Sequence, residues 1–181
     1  ASPKDANELQ AMLKEAIKLG GPKAIRWPRG GLEKAKNASY DDWPEIEWGS
    51  WEILKEGSEA YILASGLSVS YALQALADNE KVGLINARFI KPLDDKILAS
   101  LTNKTLITVE DHALAGGFGS AVLEHIAINN YSNKVVCLGI KDNFVPHGDV
   151  KSQHEELGYG PKAIVRELEK LGLMNLSKIE Y

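Results

Sequence analysis

The sequence holds one cysteine among its 181 residues, so an internal disulfide framework is excluded and a reducing, cytoplasmic setting is expected. That residue, Cys137, sits in the apolar run Val135-Val136-Cys137-Leu138. Aliphatic surroundings raise a thiol's pKa, which makes it a small core residue rather than a nucleophile. No stretch of about 18 apolar residues exists, so no membrane-spanning helix is expected, and Ala1-Ser2-Pro3-Lys4-Asp5 does not read as a signal peptide. A large charge excess is also missing: 21 Lys and Arg against 25 Asp and Glu leave a net charge of −4, which argues against a nucleic-acid surface. Histidine is scarce. His112, His125, His147 and His154 lack H-x-x-x-H and H-E-x-x-H spacing, so no metal site is expected. The absence of G-x-x-x-x-G-K-[ST] removes a P-loop, and Gly119-Ser120-Ala121 lacks the flanks of a nucleophile elbow. Internal repeats and low-complexity segments are absent as well.

What is present is an ordinary globular composition, 44% hydrophobic and 25% charged, enough for one good core and a small appendage. The most ordered-looking stretch is Lys104–Asn130. Thr105 to Val109 are β-branched or apolar without a charge, as in a strand covered on both faces. Glu110, Asp111 and His112 then place three ionisable groups at its carboxyl end, where ligands meet open α/β sheets. Gly116, Gly117 and Gly119 supply a turn, and Phe118, Ala121, Val122 and Ile126 mark the inner face of a following helix. Gly117-Phe118-Gly119-Ser120-Ala121-Val122 begins like a dinucleotide fingerprint, but Val122 replaces its last glycine and no acidic residue about 20 residues on ends a second strand of the right kind. Turn chemistry is the better reading.

Asp5-Ala6-Asn7-Glu8 has capping-box spacing, and Leu9, Met12, Leu13, Ala16 and Ile17 follow at helical period, so a helix is expected from Ala6 to Leu19 with Gly20-Gly21 as its stop. Ala24 to Trp27 reads as a strand halted by Pro28. Leu32 to Ser50 shows no period, and its tryptophans, Trp43 and Trp48, should pack on one of the bodies it joins, as should Trp51 just beyond it. Strands are then expected at Trp51–Lys55 and Ala60–Ser65, paired antiparallel because of the short turn between them. A helix over Ser68–Asn79 should bury Val69, Ala72, Leu73, Leu76 and Ala77. A strand at Val82–Ala87, a helix carrying Ile97, Leu98 and Leu101, and the central unit follow. Lys134–Ile140 reads as a strand, and helices at Val150–Leu157 and from Pro161 to Gly172 close the chain. The expected fold is α/β: a three-layer αβα sandwich whose sheet is mostly parallel with one antiparallel edge strand. A helix and one strand cannot bury their own apolar faces. The expected division is therefore the end of a preceding domain over 1–39, a linker over 40–49, the sandwich over 50–174 and a loose tail over 175–181.

Two places carry candidate chemistry. Arg29, on the turn Pro28-Arg29-Gly30-Gly31, is either a solvated charge or a bidentate ligand for a phosphate or carboxylate. Arg88 and Lys91, Glu110 to His112, and Asp142 to His147 gather at the carboxyl ends of successive strands. They form a site, a set of salt-bridged loops or a docking face. His125, near the apolar face of its helix, reads as a structural histidine.

Three segments carry a family resemblance. Ala87-Arg88-Phe89-Ile90-Lys91-Pro92-Leu93-Asp94, Val109-Glu110-Asp111-His112 with Gly116 to Glu124, and Gly139 to Gly148 resemble the C-terminal domain of the 1-deoxy-D-xylulose-5-phosphate synthase family. Gly21 to Gly30 resembles the end of that family's pyrimidine-binding domain. A weaker I-K-P-L-D version occurs in transketolases and 2-oxoacid dehydrogenase β subunits. The resemblance implies a transferase dependent on thiamine diphosphate and Mg2+ that condenses pyruvate with D-glyceraldehyde 3-phosphate with loss of CO2, feeding isoprenoid, thiamine and pyridoxal biosynthesis. It also implies a homodimer of three-domain chains with the cofactor between the first two domains, and it makes Arg29 a ligand of the glyceraldehyde 3-phosphate phosphate group. Trp27 stands where a tyrosine or phenylalanine is usual, and Asp111-His112 departs from E-E-N, so neither of the latter is given a catalytic role. The magnesium motif, the activating glutamate and the first-domain histidines have no counterpart. The expectation is therefore a C-terminal fragment, inactive alone, with no catalytic, cofactor or metal residue of its own and with the rest of the synthase as its partner. A different class remains open: a binding or assembly module without chemistry, taking a nucleotide at the glycine loop.

Overall fold

The computed structural model describes residues 1–28 and 45–174. The first helix, α1, covers Ala6–Leu19, with Asp5 as N-cap and Gly20, at φ 61°, just past its end. There follow β1 (Glu52–Lys55), β2 (Ala60–Ala64), α2 (Ser68–Leu76), β3 (Val82–Asn86), α3 (Asp95–Ser100), β4 (Thr105–Ala113), α4 (Phe118–Ile128), β5 (Lys134–Ile140), α5 (Val150–Glu156) and α6 (Pro161–Lys170). The five strands form one sheet in the order β1-β3-β2-β4-β5. All neighbours are parallel except β1 with β3, so the expected mostly parallel sheet with one antiparallel edge strand is what the structure shows.

Side chains alternate across the strands, as the two-residue period of a strand requires. Leu63, Ile85 and Leu106 point to one face, where Leu98 of α3 and Phe118, Val122 and Ile126 of α4 cover them. Ile62, Leu84 and Ile107 point to the other, under Val69, Ala72 and Leu76 of α2 and Ile164 and Leu168 of α6. Each fully buried aliphatic or aromatic side chain here contributes about 1.5–3 kcal/mol. Three layers result because β2 and β3, buried along their whole length, need cover on both sides.

The pairing expected for β1 and β2 is wrong. Both edges of β2 are taken by the parallel strands β3 and β4, which leaves the outer edge of β3 for β1. The chain returns from β1 to β2 across the start of β3, where Glu59 N donates to Lys81 O at 2.9 Å. Gly57 makes this step possible, since a Cβ there would overlap the backbone nitrogen of Gly83.

Other expectations shift in detail. Ala24 to Trp27 is not assigned as a strand: among the described residues its backbone pairs with Ala1, whose nitrogen donates to Ala24 O at 2.8 Å while Arg26 N donates to Ala1 O at 3.0 Å. One partner residue cannot make a ladder. The helix expected to reach Asn79 ends at Leu76; Leu73 and Ala77 face solvent, and Ala75 takes a buried place instead. On α1, Met12 and Ala11 enter the core beside Trp51, whereas Leu13 and Ile17 are exposed. Trp48 packs edge-on against Phe89 at 4.9 Å, and Trp51 donates from its indole to Phe89 O at 2.8 Å. Trp43, Arg29 and the tail over 175–181 lie outside the described residues.

Candidate functional site

The central unit explains its own glycines. β4 runs on through Glu110, Asp111 and His112 to Ala113, so these residues belong to the strand rather than to a loop beyond it. Glu110 is fully buried. Its carboxylate accepts from Phe118 N and Gly119 N, both at 2.8 Å, which are orphan donors at the start of α4. Burial pushes the Glu110 carboxyl above its ordinary pKa although those two N–H groups pull the other way. Gly117 and Gly119 are close approaches: a Cβ on Gly119 would lie 2.7 Å from Thr108 Oγ1 and 2.8 Å from Cys137 Sγ, and one on Gly117 would overlap Ala113 O. The loop is packing and turn chemistry, as its sequence suggests. A phosphate cannot use the α4 amides while the protein's own carboxylate holds them.

The usual ligand crevice of such a sheet lies where the connections part to opposite faces, here between β2 and β4. Next to it, at the carboxyl ends of β2 and β3, the chain packs against itself. Ser2 and Pro3 are buried, Ser2 N donates to Arg88 O at 2.8 Å, and a Cβ on Gly66 would overlap Ser2 Oγ.

Beside them lies an ion cluster at the end of β3. Glu8, 1% exposed, accepts from Lys4 N at 2.7 Å, Asn86 Nδ2 at 2.8 Å and Arg88 Nη1 at 3.3 Å. Lys4 Nζ reaches Glu52 at 2.7 Å. Burial alone would lower the Lys4 pKa and raise that of Glu52, yet their mutual attraction and neighbouring charges hold Lys4 above and Glu52 below their usual values. Spacing reveals Glu8 as a capping-box residue, and Asp5 Oδ1 does accept from Glu8 N at 2.8 Å. Nothing in the local sequence shows that its carboxylate is buried against β3.

The three charged groups expected to share this rim are separated by the fold. Arg88 turns to Glu8 and to Ser50, whose carbonyl oxygen accepts from Arg88 Nε at 2.8 Å. Asp111 faces Arg26 at 3.9 Å, and His112 is held below its usual pKa by burial and by the Arg26 charge. Residues 141–150 are all exposed, with Phe144 fully open to solvent. His154, lowered by burial, pairs with the Tyr71 hydroxyl at 2.8 Å and stacks on Tyr159. His125 lies 3.4 Å from Asp95 and edge-on to Tyr131, a structural setting. Cys137 is half-buried, and burial pushes its thiol up. Among the described residues no group of three His, Cys, Asp or Glu is arranged to hold a metal ion, and no helix is long and apolar enough to cross a membrane.

A sheet of this order, with a buried strand-end glutamate capping the helix after a glycine turn, defines a class. Residues 49–164 match the family model "Transketolase, C-terminal domain", and the chain belongs to that family. Within it, the chain is similar to named enzymes. It is 50% identical over 173 residues to the 1-deoxy-D-xylulose-5-phosphate synthase of Thermus thermophilus, a match covering 96% of this chain and 28% of that protein. The synthase of Aquifex aeolicus is 43% identical over 153 residues, covering 81% of this chain and 24% of the relative. A solved split gene transketolase, described as an inactive β4 tetramer, aligns with a TM-score of 0.77 and 29% identity over 96% of this chain and 57% of its own. This chain thus spans 28% of the length of one curated relative and 24% of the other.

Proposed function

We propose that this chain is the C-terminal part of a 1-deoxy-D-xylulose-5-phosphate synthase. Residues 1–39 would end its pyrimidine-binding domain, 40–49 link, and 50–174 form its C-terminal domain. The observation that carries the reading is the 50% identity over 173 residues, which includes residues outside the 49–164 family match. The whole enzyme, in this reading, is a cytoplasmic homodimer that joins pyruvate to D-glyceraldehyde 3-phosphate with loss of CO2.

The described residues do not fit thiamine diphosphate or magnesium. No His, Cys, Asp or Glu group is arranged for the ion, and Glu110 occupies the helix terminus that a diphosphate would need. In this reading cofactor and metal belong to the N-terminal and pyrimidine-binding domains, and no step through them is assigned to this chain. Its own contribution is Arg29, whose guanidinium suits the phosphate of glyceraldehyde 3-phosphate through paired N–H donors.

In the full-length enzyme Arg29→Ala is expected to raise the Michaelis constant for glyceraldehyde 3-phosphate about tenfold, with that for pyruvate unchanged. An unaltered constant would remove Arg29 from the site. The wider reading is tested by the same full-length enzyme with pyruvate, glyceraldehyde 3-phosphate, thiamine diphosphate and magnesium. Deoxyxylulose phosphate and CO2 are expected; turnover of a ketose phosphate donor in place of pyruvate would make it a transketolase instead.

A further inference from the structure

An open sheet has two edges to protect, and this one protects them unequally. β1 is four residues long, begins and ends on a charge, Glu52 and Lys55, and breaks register between Ile53 and Lys55. Short length, edge charges and an irregularity are the devices that stop a strand from pairing further. β5 has none of them. It runs seven residues, Lys134–Ile140, carries neither charge nor proline from Val135 to Ile140, and keeps an unbroken register against β4 from Lys134 to Leu138. Among the described residues its other edge meets no strand. A long, apolar, regular edge is a template for another strand.

The residues of β5 also match themselves. Val136, Leu138 and Ile140 share the face turned to the α2 and α6 layer, and the two-residue period puts Lys134 before them and Asp142 after them in the same phase. Lys134 and Asp142 are exposed, and neither has an ion-pair partner among the described residues. A two-fold axis normal to the sheet makes a second β5 run antiparallel to the first, with one residue opposite itself. With Leu138 on that axis, Val136 meets Ile140 of the second copy and Lys134 meets its Asp142. Other axes fit worse. Val136 on the axis would set Lys134 against Leu138, Cys137 would set Lys134 against Ile140, and Gly139 would set Val136 against Asp142, each a charge opposite an aliphatic side chain.

We propose that the outer edge of β5 pairs antiparallel with β5 of a second copy of this chain, about a two-fold axis at Leu138. The product is one continuous sheet made of two five-stranded halves. Edge contacts bury little surface, so the association is weak and depends on concentration. It is independent of the functional reading above, because it rests on β5 alone and its test reads mass rather than turnover.

Sedimentation equilibrium of the full-length protein over a range of concentrations tests the pairing. Lys134→Asp sets carboxylates against each other on both sides of the axis and is expected to raise the dissociation constant of one association step about tenfold. Asp142→Lys should act in the same direction. The two changes together should restore wild-type association, since each ion pair is rebuilt with its charges exchanged. Melting temperature should hold in all three, because both positions are exposed, which separates lost pairing from lost fold. Leu138→Lys is expected to abolish the step; should it not fold, the charge reversals carry the test by themselves. An unchanged mass for Lys134→Asp, or a double variant that associates as weakly as the single ones, overturns the proposal.

Discussion

Replacing Glu110 with alanine is expected to cost the fold about 3 kcal/mol or more. Two charge-assisted hydrogen bonds disappear, Phe118 N and Gly119 N lose their acceptor, and a void opens where a fully buried side chain stood. Glu110→Gln should cost less, because the amide oxygen still serves one N–H and no charge is left in the interior. The pH dependence has a definite sign. Burial raises the folded-state pKa of Glu110 above its ordinary value of 4.5, so folding favours the protonated acid more than the unfolded chain does. The stabilising contribution is therefore full below pH 4.5 and is lost as pH rises through the folded value. Urea unfolding across that range should show wild type losing ground to Glu110→Gln as pH climbs. A constant difference would mean that the two backbone donors fully offset the burial.

Gly57→Ala should be nearly as damaging, at about 3 kcal/mol. The added methyl meets backbone, namely Gly83 N, Ala60 O at 2.7 Å and the Val82 carbonyl carbon at 2.7 Å, and none of these can swing aside as a side-chain tip would. Gly116→Ala is the natural comparison. It has open space around its Cβ and only its φ of 70° to oppose substitution, so about 1 kcal/mol is expected. Thermal or urea denaturation of the two variants ranks the effects. Equal losses would show that the chain does not cross tightly over the start of β3.

The elements themselves were readable wherever local chemistry decides them. Thr105 to Val109, the glycine turn and the apolar spacing of Phe118, Val122 and Ile126 announce one βα unit, and Asp5 announces the start of α1. Sheet order was not readable from a short turn, because both edges of β2 are occupied by β3 and β4, which leaves β1 the outer edge of β3. The phase of α2 was missed for a similar reason: helical spacing defines a stripe, but α6 decides which stripe is covered, leaving Leu73 outside. The candidate site divides in the same way. Arg29 rests on resemblance to a family and lies outside the described residues, whereas Glu8 showed only its capping role in the sequence. Its other partners, Asn86 and Arg88, lie 78 and 80 residues away in the chain, beyond any local pattern.

The exposed stretch over residues 141–150 has a different consequence: it is a place where the polypeptide tolerates being cut. Phe144, fully open to solvent, presents itself to chymotrypsin, and Lys141 and Lys151 flank it for trypsin. The piece released beyond such a cut carries α6, whose Ile164 and Leu168 are sealed against α2. Limited digestion should therefore yield two bands on a denaturing gel that travel as one species on a sizing column. The fold is divisible in its covalent chain without being divisible in its core, which also makes this stretch the place to insert a tag or to open new termini.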